Sequence, residues 1–235
     1  MYRERVSRVP DAVLWWSTAP GSATAERRVL PDGCMDVIWV DGALLVAGPD
    51  TAAHVVTDRP GARYVGLRFG PGTGPVVFGV PAHELRDRRV PLADLWPAAE
   101  ARRLTERAGE TAGAGPRLGA VLEEEAARRL GTAPRPVDTA LVGAVVRGVR
   151  AGLPVARIAA EAGIGERRLH RWCLDAFGYG PRTLGRILRM NRAVDLARGG
   201  TPPATVAAVA GYADQAHLSR EVRSLTGVTL GALTR

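Results

Sequence analysis

Two stretches, Ile158-Ala-Ala-Glu-Ala-Gly163 and Val206-Ala-Ala-Val-Ala-Gly211, repeat one pattern, and their reading decides the fold of the C-terminal half of this chain. Beyond each stretch a second match follows, Leu169-His-Arg171 against Leu218-Ser-Arg220, and the register then holds at 49 residues through Phe177-Gly178 and Thr226-Gly227. The second copy has one more residue in its turn. Two short helices joined tightly need small residues where they cross and a glycine where the backbone turns left-handed. Ala159 and Ala207 supply the close approach, Gly163 and Gly211 the turn, and Leu169 and Leu218 the plug that seats the second helix on the first. The pattern predicts two helix-turn-helix units. With Leu169 buried, helical geometry turns Arg167, His170 and Arg171 to another face, and burial of Leu218 does the same for Gln215, His217 and Arg220. Such side chains read base edges or hold phosphates. The alternative is a pair of ordinary helical hairpins with solvated charged faces.

Around these units the text from 134 onward reads as helices throughout, at about 137–151, 154–161, 165–177, 181–198, 202–210 and 214–226. Charge is divided along the chain in the same way. Residues 1–133 carry 17 arginines against 17 acidic residues, whereas residues 134–235 carry 15 against 7, so the whole net charge of +8 sits in the last hundred residues. The absence of lysine explains why the cations are arginines but not why they are segregated. A basic half joined to a neutral one predicts a nucleic-acid module attached to a part with another task.

The neutral half begins with short strands broken by turn residues: Cys34–Val40, Asp41-Gly42, Ala43–Ala47, Gly48-Pro49-Asp50, His54–Thr57, Arg59-Pro60-Gly61 and Arg63–Phe69. Asp-Gly between two apolar runs is a hairpin signal, and strands at this spacing predict a small β-barrel or sandwich over residues 1–91, with Trp15-Trp16 on an added strand. Thr73–Val80 reads as a short helix. From Leu92 the spacing becomes helical, with an interruption at Gly113-Ala-Gly-Pro116, which predicts a helical linker over 92–133. The breaker-rich Gly131-Thr-Ala-Pro-Arg-Pro136 then marks the joint to the DNA-binding part at 134–235. The fold class is thus α+β, with a β-rich domain, a helical linker and an all-α domain in order. The linker's apolar stripe Leu118, Val121 and Leu122 either pairs two chains into a homodimer or packs against the chain's own barrel.

Hydrophobic residues make up 46% of the chain, an ordinary share for a globular protein. No apolar run reaches the roughly 18 to 20 residues of a membrane span, and Met1-Tyr-Arg-Glu-Arg5 has no signal-peptide core, so a cytoplasmic protein without membrane partners is expected. Cys34 and Cys173 stand far apart outside any CxxC spacing, and His54, His83, His170 and His217 are scattered, so neither a disulfide framework nor a metal site is suggested. Asp32, Asp36 and His54 lack a nucleophile-base spacing and are read as turn and strand-edge residues, not a catalytic set. No enzyme activity and no cofactor is expected. Acidic neighbours would raise the pKa of Cys34, which favours a structural thiol over a sensor. Aromatics form only 5% of the chain, which leaves little for the stacking that RNA recognition uses.

The run Arg157-Ile-Ala-Ala-Glu-Ala-Gly-Ile-Gly-Glu-Arg-Arg-Leu-His-Arg-Trp172, followed by Phe177-Gly-Tyr-Gly-Pro181, Arg189-Met-Asn-Arg-Ala193 and Val209-Ala-Gly-Tyr-Ala-Asp-Gln-Ala-His-Leu-Ser-Arg220, resembles the DNA-binding domain of the AraC/XylS regulators over about residues 137–235. The resemblance implies two helix-turn-helix units joined by a long central helix, here about 181–198, which sets the recognition helices in successive major grooves. Its base-contacting positions fall on Arg167, His170 and Arg171 and on Gln215, His217 and Arg220; with the neighbours Arg168 and Ser219 these form the candidate DNA-binding set. Gly165, Cys173 and Leu230 stand where the family favours Ser, Phe and Pro, and the first of these weakens a helix cap. The N-terminal half, through Leu30-Pro-Asp-Gly-Cys-Met-Asp36, Gly48-Pro49 and Gly66-Leu-Arg-Phe69, resembles sensor halves of some actinobacterial members of that family.

The expected function is therefore a sequence-specific transcription regulator acting on double-stranded operator or promoter DNA, and on RNA polymerase if it activates. Its N-terminal half would hold a small-molecule effector in a pocket lined by some of Trp15, Trp16, Trp39, Tyr64 and Phe69. One alternative is a ligand-independent regulator whose barrel only dimerises. Another is an enzyme or RNA-binding protein with a basic helical domain.

Overall fold

The computed structural model describes residues 2–21, 25–111, 115–134 and 137–234. Positions 113–114 of the glycine-rich interruption and 135–136 of the predicted joint lie outside the described residues. Among the described residues, eight strands precede most of the helices: β1 (Tyr2–Val6), β2 (Ala12–Thr18), β3 (Ala25–Val29), β4 (Met35–Val40), β5 (Ala43–Ala47), β6 (His54–Asp58), β7 (Arg63–Phe69) and β8 (Arg89–Pro91). Six of them form an antiparallel sheet in the order β1-β2-β7-β4-β5-β8, and β3 pairs with β6 in a separate ribbon. The sheet keeps two edges, β1 and β8, so the expected barrel or sandwich takes the form of an open sheet with a ribbon beside it.

Strand alternation gives the sheet two distinct faces. Leu14, Val37, Trp39, Val65, Leu67 and Phe69 share the face that forms the first core. That face is covered by α1 (Gly74–Phe78), α2 (Ala98–Glu110) and α3 (Gly115–Thr132). A Cβ on Gly119 of α3 would lie 2.2 Å from Leu14, so the helix axis comes as close to the sheet as a glycine allows. Leu118 and Leu122 are buried there with Val121 packed beside them, so the stripe that could have paired two chains is spent inside this one. The predicted linker helices thus belong to the same core as the sheet. On the opposite face, the Trp15 indole lies across Gly66, its cross-strand partner, where any Cβ would overlap the ring. Arg27 of the ribbon lies over the Tyr64 ring on that same face.

The second core gathers α4 (Thr139–Arg150), α5 (Val155–Glu161), α6 (Glu166–Phe177), α7 (Pro181–Arg198), α8 (Pro203–Ala210), α9 (Gln215–Thr226) and the short α10 (Leu230–Leu233). Pro181 starts α7 at a position where its missing N–H costs nothing. Leu184, Ile187, Met190, Ala193 and Val194 of α7 are all buried, which makes it the central strut between the two helical pairs.

Candidate nucleic-acid interface

Each helical pair is built as its sequence demands. Ala159 and Ala207 are buried at the crossings, Gly163 and Gly211 turn with φ of 66° and 82°, and Leu169 and Leu218 sit in the core. Burial of Leu169, Cys173 and Phe177 fixes the rotation of α6, and Leu218, Val222 and Leu225 fix that of α9. The two helix starts differ. The Asp214 carboxylate accepts the His217 N–H at 2.6 Å, a side-chain cap, whereas Gly165 offers α6 none.

The structure brings Arg167, Arg168, His170 and Arg171 together on the exposed N-terminal part of α6, and Gln215, Ser219 and Arg220 on the corresponding part of α9. His217 is placed differently from its neighbours. It is half-buried, its ring packs edge-on to Tyr212, and its Nδ1 accepts the Ala213 N–H at 3.3 Å. Beside the first recognition helix lies an open groove of about 910 Å³, in which Arg167, His170 and Arg171 face Arg182 and Thr183 at the start of α7. Sequence reasoning took α7 as a spacer and missed Arg182. The signal was its place one residue after the Gly180-Pro181 helix start, which points the first turn back toward α6.

The five aromatic residues assigned to an effector pocket do not converge. Trp16, Trp39 and Phe69 lie on the helix-covered face, Trp15 and Tyr64 on the other. Phe69 meets Phe78 edge-on at 5.6 Å, Trp16 abuts Gly115 at the start of α3, and the Trp15 Nε1–H donates to Asp36 at 2.7 Å. Arg68 bridges Asp32 and Asp36, and burial, followed by the nearby Asp32 charge, pushes the Cys34 thiol well up. Among the described residues, no group of His, Cys, Asp or Glu could hold a metal ion, and no helix is long and apolar enough to cross a membrane.

The two halves of the chain meet along one seam. Asn191 of α7 donates to the Pro31 carbonyl at 3.0 Å, Arg86 donates to the Gly178 carbonyl at 3.3 Å just past α6, and the Ala53 N–H donates to the Leu225 carbonyl of α9 at 2.7 Å. A Cβ on Gly178 would lie 2.5 Å from Pro49. The N-terminal half therefore grips the C-terminal ends of both recognition helices and leaves their basic N-terminal parts in solvent.

That arrangement of paired helices on a central strut agrees with the sequence comparison, in which the helix-turn-helix domain family matches residues 158–235. Residues 158–235 are a helix-turn-helix domain. Residues 12–91 match a domain family of unknown function, DUF6597. No curated protein sequence matches the chain. Among solved structures, ToxT from Vibrio cholerae O395 is similar with a TM-score of 0.50 at 11% identity, over 95% of this chain and 97% of that one. Wild-type ToxT from Vibrio cholerae strain SCE256 with bound unsaturated fatty acid gives a TM-score of 0.51 at 11% identity, over 97% and 96%. A probable AraC family transcriptional regulator from Rhodopseudomonas palustris CGA009 aligns over 41% of this chain and 95% of its own, at 20% identity and a TM-score of 0.35. The likeness to ToxT is one of fold, and it takes in the sheet-bearing half as well as the helix-turn-helix domain.

Proposed function

We propose that this chain is a sequence-specific DNA-binding transcription regulator whose promoter occupancy responds to a small molecule held by its N-terminal half. The observation that carries the reading is the pair of exposed recognition surfaces, Arg167, Arg168, His170 and Arg171 on α6 and Gln215, Ser219 and Arg220 on α9, mounted on one central helix. At about 1.5 Å per residue the 18-residue α7 spans about 27 Å, the same order as the one-turn spacing of successive major grooves, about 34 Å. The basic groove at Arg182 adds room for a backbone phosphate beside the first helix. A small-molecule effector is supported by the ToxT fold, since ToxT is known with a fatty acid bound, and by the seam, through which a ligand in the N-terminal half would bias both recognition helices. Pairing of two chains through the Leu118 and Leu122 stripe is disfavoured, because both side chains are buried within the chain. The test is footprinting of the full chain on DNA flanking its own gene over a series of salt concentrations. Two protected patches on one face about 10 bp apart, with affinity falling steeply as salt rises, are expected. Salt-independent binding, or protection of a single unpaired patch, would overturn the reading.

A further inference from the structure

The 49-residue register of the internal repeat sets the two helical units side by side, residue by residue. Leu169 of α6 and Leu218 of α9 are both buried. Residues two before and two after a buried helical residue stand about 200° around the axis from it, on the far side, and about one turn apart on a shared face. In α6 these are Arg167 and Arg171, in α9 they are Ala216 and Arg220, and all four are exposed. Each pair is the centre of what its helix can press into a groove. Arg171 matches Arg220, whereas Arg167 matches an alanine.

The contrast extends beyond that position. His170 matches Ser219, and Arg182 at the start of α7 matches Gly231 in α10. Nearby acids are committed to other partners: Glu161 to Arg157, Glu221 to Arg186 and Arg189, and Asp175 to His83. Arg167, Arg171 and Arg220 therefore have no ion pair among the described residues and keep their guanidinium forks for a ligand. Such a fork grips O6 and N7 of guanine through two hydrogen bonds. Alanine has nothing to donate, and the apolar group that a base edge offers it in the major groove is the C5-methyl of thymine. Four residues rise about 6 Å along a helix, which is about two base-pair steps.

We infer that the operator has two unlike half-sites: two guanines within about two base-pair steps facing α6, and one guanine with a thymine facing α9, the thymine read by the Ala216 methyl group. This rests on the DNA-binding reading and gives it a sequence. Ala216 is then a specificity-determining residue, placed by the repeat and by the burial of Leu218, although its side chain carries no polar group.

The test is selection of bound duplexes from a random library by the full chain, as wild type and as Ala216→Arg. Titration of the selected site then follows, with each thymine of the second half replaced in turn by uracil, which lacks only the methyl group. Wild type should enrich the unlike half-sites, and Ala216→Arg should exchange the thymine for a guanine while leaving the other half as it was. One uracil replacement should weaken wild-type binding about fourfold, the loss of a single apolar carbon contact. Ala216 is exposed, so Ala216→Arg loses no core contact, and an unchanged melting temperature checks this. The uracil measurement needs no variant. Half-sites of equal guanine content, a thymine preference that Ala216→Arg retains, or wild-type affinity unmoved by every uracil replacement overturns the inference and leaves the DNA-binding reading in place. Failure to enrich any sequence overturns the DNA-binding reading itself.

Discussion

Arg171 and Arg220 stand at matching places in the two helical pairs, each exposed, each two residues beyond a core leucine. Replacing either with Ala is expected to cost about 1 to 3 kcal/mol of operator binding and to leave the melting temperature unchanged, because no core contact is lost. Gel-shift titration beside thermal denaturation reads both, and operator affinity unchanged in both variants would show that other faces meet DNA. His217→Ala should differ from them in kind. Its ring and N–H tie the turn before α9, so part of its effect falls on stability. The Asp214 cap gives a cleaner contrast: Asp214→Ala should lower stability by about 1 kcal/mol, whereas Gly165→Ser, where an added Cβ meets nothing within 4 Å, should raise it by about 0.5 to 1 kcal/mol through a new cap and a stiffer unfolded chain. Urea denaturation of the two variants measures the signs. The weak start at Gly165 was legible in the sequence, since Gly lacks the capping oxygen of Ser, whereas the Asp214 cap emerged only from the structure. Nor was the half-burial of His217 legible, because periodicity fixes the face a residue shares but not the turn that folds back over it.

At the scale of elements, the strands and helices followed the alternation and the helical period closely, down to the hairpin at Asp41-Gly42, where Asp41 and Gly42 both adopt positive φ. Four elements escaped, β1, β3, β8 and α10. β1 is exposed nearly throughout, so Tyr2-Arg-Glu-Arg-Val6 shows no apolar alternation, and α10 has only four residues and no buried one. The helices at 98–132 were legible as helices but not in their partner, since a stripe such as Leu118, Val121 and Leu122 is written the same way whether it covers a sheet or a second chain. Leu122→Ala should therefore cost about 2 to 5 kcal/mol of stability and leave the sedimentation coefficient of the folded protein unchanged. A shift in association state without loss of stability would restore the pairing role. On the same helix, burial by itself would raise the pKa of Glu123, but hydrogen bonds from the Arg5 guanidinium, the Arg8 N–H and the Ser7 hydroxyl outweigh it and hold the carboxyl below its ordinary value of 4.5. A folded-state pKa below the unfolded one means stabilisation that is present above about pH 4.5 and lost as pH falls through the folded value. Glu123→Gln should thus destabilise at neutral pH, and its difference from wild type should shrink as the medium is acidified below that value, as read by denaturant titration at each pH.

For the molecule as a whole, the decisive contact is the seam, and nothing in the sequence announced it, because its bonds join loops near 31, 53 and 86 to helices of the other half more than ninety residues away. Whether the seam acts as one body is testable through its most distant bond. The Ala53 N–H reaches the Leu225 carbonyl at the end of α9, while Asn191 holds the Pro31 carbonyl from the middle of α7. If the N-terminal half rides as a rigid unit on both helical pairs, loosening the bond at Asn191 lowers the cost of opening everywhere along the seam. Asn191→Ala removes one hydrogen bond of about 1 kcal/mol, so the Ala53 amide should exchange with solvent about fivefold faster, although the substituted residue does not touch it. Amides in the cores of the two halves, such as those of Leu67 and Met190, should keep their rates to the extent that they open only by global unfolding of their own half. Native-state hydrogen exchange resolves these sites one by one. Acceleration confined to residues beside Asn191, with Ala53 unmoved, would mean that each helical pair contacts the N-terminal half independently, and an effector would then have no mechanical route by which to move both recognition helices together.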